Sequence, residues 1–239
     1  MLDDMGALRA AVEGYRAART AAGLPTTDGD APGGRLPVEA LCRVFDVDRF
    51  AEQPLWLTTQ PWLYDRVLPC GAHMLPWTDG DELLSFLSFA VATPFPWRHQ
   101  VPVFFIDHLV FTVVLAGERA GEVWRYQIDP DDWNPLRAAP SLAALFAEWT
   151  KGFAAGVFDR SPYDDWLHIG YDGGDPVEIL RKRGLDPFAF PVYVSAYRHE
   201  DLVRARQRDC GVDIARADDF ETHEGLNDEI DAARATLRR

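Results

Sequence analysis

Three short acidic segments hold the residue types in this sequence that could do chemistry. In chain order they are residues 79–82, 129–133 and 164–166, and the last two share the tripeptide Asp-Asp-Trp. Paired carboxylates can carry out acid–base catalysis or hold Mg²⁺ or Ca²⁺. None of the three segments has the DxDxDG spacing of a calcium-binding loop.

Two other interpretations of these segments do not require catalysis. Aspartate favours turns and helix N-caps, so the segments can be ordinary turns. They can also form an anionic surface that binds a protein, because Trp supplies contact area and Asp pairs with Arg or Lys of a partner. On this second interpretation we expect the partner-binding residues to be Asp129, Asp131, Asp132, Trp133, Asp164, Asp165 and Trp166.

No other pattern in the sequence indicates a catalytic, metal or cofactor site. The six histidines form no HxH, HExxH or HxxxH pair, and no Walker-type or GxGxxG phosphate loop is present. Cys70 and His73 are close in sequence, but catalytic Cys–His pairs usually come from distant segments. We therefore expect a protein that is not an enzyme and has no cofactor. The alternative is a metal-assisted hydrolase with a dispersed Asp/Glu/His site.

The charge of the chain restricts its partners. The formal net charge is −14, which repels phosphate backbones and anionic lipid and attracts basic surfaces. We expect a basic protein partner, no nucleic acid and no membrane, although the charge can also serve solubility alone.

The three cysteines form no CxxC pair and the acidic N-terminus has no apolar leader, so the expected location is the cytoplasm.

Hydrophobic periodicity predicts the elements that must position these residues. Continuous apolar runs at 101–106 and 109–115 predict two strands, and alternation over 123–128 predicts a half-buried third strand. A helix should start at Ser141, because apolar residues follow it at helical spacing. The proline-broken region 55–97 indicates short strands and turns, and within it residues 81–92 could form either a helix or a strand. Further helices are expected at 3–22, 37–50, 175–184, 200–209 and 222–237.

These elements together predict an α+β fold with a predominantly antiparallel curved sheet, flanked by helices and followed by a helical C-terminal extension. We expect an N-terminal helix and linker at 1–35, a core domain at 36–160 and an extension at 161–239 that packs on the core.

Residues 101–160 resemble the core of the SUKH superfamily. The resemblance rests on the proline-containing strand at 101–106, the second strand, the segment 121–126, the acidic turn at 129–132 and the helix that starts at Ser141. The tail from Arg183 to Asp213 resembles extensions of actinobacterial members. This superfamily includes the yeast cell-wall-synthesis regulator family and many bacterial immunity proteins.

The resemblance implies a curved sheet flanked by helices and no enzyme activity. It also implies a role in binding a protein, such as neutralising a cognate toxin. A nuclease toxin must be basic to hold phosphate, and the acidic charge of this chain suits such a partner.

Overall fold

The chain folds around a five-stranded antiparallel sheet with helices on both faces. The computed structural model describes residues 5–24, 26, 33–34, 36–78, 80–88, 90, 92–107, 109–127, 135–160, 163, 166–212 and 220–237. Its strands are β1 (His73–Met74), β2 (Gln100–Ile106), β3 (Leu109–Val114), β4 (Val123–Gln127), β5 (Leu136–Ala139), β6 (Asp159–Arg160) and β7 (Leu167–His168). The predicted α+β class and antiparallel pairing are confirmed: β1 to β5 lie side by side in chain order, and β6 pairs with β7 in a separate small sheet.

Eight α-helices surround the two sheets in the described part of the chain. They are α1 (Met5–Ala21), α2 (Val38–Val44), α3 (Glu52–Leu57), α4 (Gly80–Ser85), α5 (Leu142–Ala155), α6 (Pro176–Lys182), α7 (Glu200–Cys210) and α8 (Phe220–Leu237). Three short 3₁₀ segments, Pro61–Tyr64, Trp97–His99 and Pro187–Ala189, join them. All of the helices predicted from periodicity are present. In the region 55–97 the described residues form short helices, turns and a single two-residue strand.

Helix α5 forms as its sequence predicts. The Ser141 hydroxyl accepts a hydrogen bond from the backbone N–H of Ala144 at 3.0 Å, and Gly156 ends the helix in the left-handed region at φ 63°. Between these caps the apolar stripe faces the sheet, and the Trp149 ring lies 5.6 Å from the Phe104 ring. Helix α1 covers α5 from outside, where Tyr15 contacts Trp149 at 6.0 Å between ring centroids.

The opposite face of the sheet is covered by α4 and the segment that follows it. Phe105 points away from its neighbour Phe104, as alternation along a strand requires, and contacts Phe86 with 4.7 Å between ring centroids. On the same face, Trp124 of β4 contacts Phe95 at 5.2 Å. The sheet is therefore buried on both faces.

Burial on both faces corrects the expectation of a half-buried β4. Arg125 is 1% exposed and Gln127 is 4% exposed. The Arg125 guanidinium donates to the backbone carbonyls of Phe190 at 2.9 Å and Val192 at 2.7 Å. The side chains that alternation assigned to solvent instead tie the sheet to the segment 187–194, because its carbonyl groups replace water as acceptors.

The C-terminal helices also contact the sheet and its flanking segments. The Arg206 side chain of α7 donates to the Arg137 carbonyl of β5 at 3.2 Å. The Trp97 indole N–H donates to Glu229 of α8 at 2.6 Å. These contacts cross the boundary proposed near residue 160, and the division of the chain into three parts stays a prediction.

Candidate functional site

One of the seven expected partner-binding residues lies in the described part of the chain. Trp166 immediately precedes β7, and Asp129, Asp131, Asp132, Trp133, Asp164 and Asp165 lie outside the described residues. Their role in binding stays a prediction. The surface around Trp166 is therefore the part of the expected site that lies within the described residues.

A tight turn at residues 68–72 fixes the position of Trp166. The Cys70 N–H donates to the Leu167 carbonyl at 2.6 Å, which joins the turn to β7. Gly71 has φ +78°, and a Cβ atom built there would lie 2.7 Å from the Trp166 ring. The turn therefore needs glycine both for its backbone conformation and for the close approach of the indole.

Trp166 belongs to a row of aromatic side chains along β7 and the turn after it. Its ring and that of His168 are 6.2 Å apart and nearly parallel, with 21° between their planes. The His168 ring contacts Tyr171 at 5.2 Å and 62°. Tyr171 is 41% exposed, and its backbone N–H donates to Asp159 of β6 at 3.3 Å.

Arg66 adds a positive charge to this row. Its guanidinium carbon lies 4.5 Å from the centroid of the Trp166 ring, within the range of a cation–π interaction. The Arg66 side chain is exposed. We call Arg66, Trp166, His168 and Tyr171 the Trp166 surface.

The sequence contains a signal for only part of the Trp166 surface. Trp166 and His168 are two residues apart, which places both on one side of a strand, and alternation could have identified this pair. Arg66 is 100 positions from Trp166, and no local pattern connects them. Tyr163 is 88% exposed and three positions before Trp166, and it was also not predicted.

Burial shifts the pKa values of both the Cys70 thiol and the nearby His73 imidazole. Desolvation by burial raises the pKa of the Cys70 thiol to about 12, so the thiol is protonated at neutral pH. Desolvation also lowers the pKa of His73, and the nearby charge of Arg66 lowers it further. The expectation that Cys70 and His73 are not a catalytic pair stays a prediction.

A polar cleft of about 590 Å³ lies between α6 and α7. One oxygen of Asp175 accepts from the Val177 N–H at 2.9 Å, and the other lies 3.1 Å from His199 Nε2. The His199 side chain is 8% exposed. Asp175 thus caps the start of α6 and holds the residue before α7, which is a structural role.

The acidic segment that comes first in the chain, residues 79–82, overlaps the start of a helix. Asp81 and Glu82 are in the first turn of α4, where carboxylates interact favourably with the helix dipole. Within the described ranges, no group of three His, Cys, Asp or Glu side chains is arranged to hold a metal ion. The metal-assisted hydrolase alternative remains untested.

No helix in the described residues is both long and apolar enough to cross a membrane. Comparison of the chain with protein-family models, curated proteins and solved structures finds no match.

Proposed function

We propose that this chain is a non-enzymatic protein-binding module, either of the immunity type that neutralises a basic toxin or a regulatory adaptor. The observation that carries the proposal is the Trp166 surface. Trp, Tyr and Arg are the residue types that contribute most to binding energy at protein interfaces. Here one of each lies within a single connected row on the surface.

The rigidity of the row supports a binding role. Trp166 rests on Gly71 and is tied through its neighbour Leu167 to the turn at 68–72. A side chain that is already held in place loses little conformational entropy when a partner binds. The Trp166 surface is therefore suited to act as an anchor.

The net charge of the chain supports a basic partner. A charge of −14 attracts a positively charged protein over distances of about a Debye length, roughly 8 Å at physiological ionic strength. This attraction acts mainly on the association rate, whereas the anchor residues act on the dissociation rate. Asp164 and Asp165 adjoin Trp166 in the chain and are proposed to contact the basic residues of the partner.

The proposal can be tested by affinity capture with surface variants and a salt titration. Tyr171→Ser and Asp164→Asn/Asp165→Asn should each weaken capture of a basic protein by at least about tenfold, which is the loss typical of an interface anchor. Tyr197→Ser is the matched control, because Tyr197 is 79% exposed and lines the α6–α7 cleft instead.

The wild-type complex should release its partner as salt rises, since exposed charge pairs are screened. A partner held equally by wild type, Tyr171→Ser and the double Asn variant would contradict the assignment of the site. A variant with Asp131, Asp132 and Trp133 changed to Ala tests the other predicted acidic turn. Capture equal to that of wild type would contradict the assignment of that turn to the binding site.

A further inference from the structure

The Arg66 guanidinium is an exposed cation that lies over the Trp166 ring. The 4.5 Å distance from its central carbon to the ring centroid is within the range of a cation–π interaction. A guanidinium that lies over a ring keeps the N–H groups that point away from that ring available for acceptors. Two of these N–H groups match the spacing of the two oxygens of one carboxylate.

The charge of Arg66 is not compensated by an ion pair within the described residues. The other titratable groups near it are Asp65, which precedes it in the chain, His73, and His168 in the row beneath. His73 is held largely neutral at pH 7 by burial and by Arg66 itself, so it does not add a second full charge. Among the described residues, Arg66 thus has no ion-pair partner, on a chain whose formal net charge is −14.

We propose that Arg66 receives a carboxylate side chain, Asp or Glu, of the protein partner. This inference rests on the proposed binding function and specifies its chemistry at one point. A partner that is basic overall is attracted by the net charge, and a single acidic residue in its contact surface pairs with Arg66. Such a pair sets the orientation of the partner, because a Lys or Arg at the same position meets a like charge.

A carboxylate fits this position better than a phosphate. The negative charge of the chain disfavours every anion, and it disfavours a doubly charged phosphate more than a singly charged carboxylate.

The experiment is an NMR titration of the full chain with two short peptides. One peptide is N-acetyl-Gly-Glu-Gly-amide, and the matched peptide carries Gln in place of Glu. The signals to follow are the Arg66 side-chain N–H and the Trp166 indole N–H. We expect both signals to shift with the Glu peptide, with a dissociation constant of about a millimolar or weaker as befits a single contact, and to stay in place with the Gln peptide.

Two variants of Arg66 distinguish the effect of its positive charge from the effect of the planar guanidinium group. Arg66→Gln should abolish the shift at Trp166, and Arg66→Lys should weaken binding of the Glu peptide by at least about fivefold, because an ammonium lacks the planar fork. Arg183→Gln is the control, since Arg183 is an exposed arginine at the end of α6, and binding should be unchanged. Equal shifts with both peptides, or a shift that survives Arg66→Gln, would overturn the proposal. So would tighter binding of inorganic phosphate than of the Glu peptide.

The inference and the proposed function can fail separately. Capture that depends on Tyr171 but not on Arg66, together with no response to the Glu peptide, would overturn the carboxylate contact and leave the binding module intact. A specific response to the Glu peptide, with no effect of the Trp166 surface on capture, would support the carboxylate contact at Arg66 and overturn the proposed binding site.

Discussion

At the scale of single residues, the buried Arg125 shows how backbone carbonyls can accept from a charged group in the protein interior. Its guanidinium is surrounded by backbone carbonyls of the segment 187–194 and by the Gln127 side-chain oxygen at 2.8 Å. Carbonyl oxygens carry partial negative charge, so several of them together replace the hydration that burial removes.

We expect Arg125→Met to lower the free energy of unfolding by about 3–5 kcal/mol. The substitution leaves the carbonyls of Phe190 and Val192 buried without their donor, and each such loss costs about 1–3 kcal/mol. Urea unfolding followed by fluorescence measures the change. Arg183→Met at an exposed position should change stability by less than about 0.5 kcal/mol. Similar values for the two variants would show that the carbonyl contacts of Arg125 contribute little.

A second prediction at this scale concerns the Cys70 thiol. With a pKa of about 12, its thiolate fraction at pH 8 is about one part in ten thousand. An unperturbed cysteine has a pKa near 8.5. Alkylation of Cys70 by iodoacetamide at pH 8 should therefore be on the order of a thousandfold slower in the folded protein than in urea. Site-resolved mass spectrometry measures both rates, and comparable rates would show that the thiol is not desolvated.

At the scale of elements, Asp175 connects two helix starts through one side chain. It caps α6 through Val177 and also contacts His199, the residue that precedes α7. The two contacts require different properties, since a cap needs only an acceptor oxygen and the imidazole contact gains from charge.

We expect Asp175→Ala to lower the free energy of unfolding by about 1–2 kcal/mol, which is the usual cost of a lost cap. Asp175→Asn keeps an acceptor oxygen and should cost less than half as much. Thermal and urea unfolding of both variants measure this difference. An Asn variant as unstable as the Ala variant would indicate that the His199 contact, and not the cap, carries the energy.

Some elements of the fold could be predicted from the sequence and others could not. Helix α5 was predicted because its stripe, its Ser141 cap and its final glycine agree with one another. The burial of β4 was missed because alternation reports only which side chains are polar, and the acceptors for Arg125 and Gln127 lie more than 60 positions away. The same limit applies to the Trp166 surface. Trp166 and His168 are neighbours along β7, whereas Arg66 lies just before the turn at 68–72 and is distant from both in the sequence.

At the scale of the whole molecule, the net charge of −14 opposes the compact state. Like charges are closer together in the folded protein than in the unfolded chain, so screening should favour folding. We expect the midpoint of thermal unfolding to rise as sodium chloride increases from about 10 to 200 mM, over which the Debye length falls from about 30 Å to less than 10 Å. Calorimetry in matched buffers measures the change. A midpoint that stays constant or falls would show that attractive ion pairs, such as that between Arg206 and Asp186, outweigh the repulsion.

The carbonyl cage around Arg125 has a consequence for synthesis on the ribosome. The arginine is translated 62 to 67 residues before the carbonyls that surround it. At roughly 5–20 residues per second, those acceptors are synthesised several seconds after the arginine, and they leave the exit tunnel later still. During that interval β4 carries a cation that cannot enter an apolar core, so the nascent sheet stays open to solvent and to chaperones. We therefore expect chains that end before residue 187 to be degraded rather than to accumulate, which ties the completion of the fold to the completion of translation.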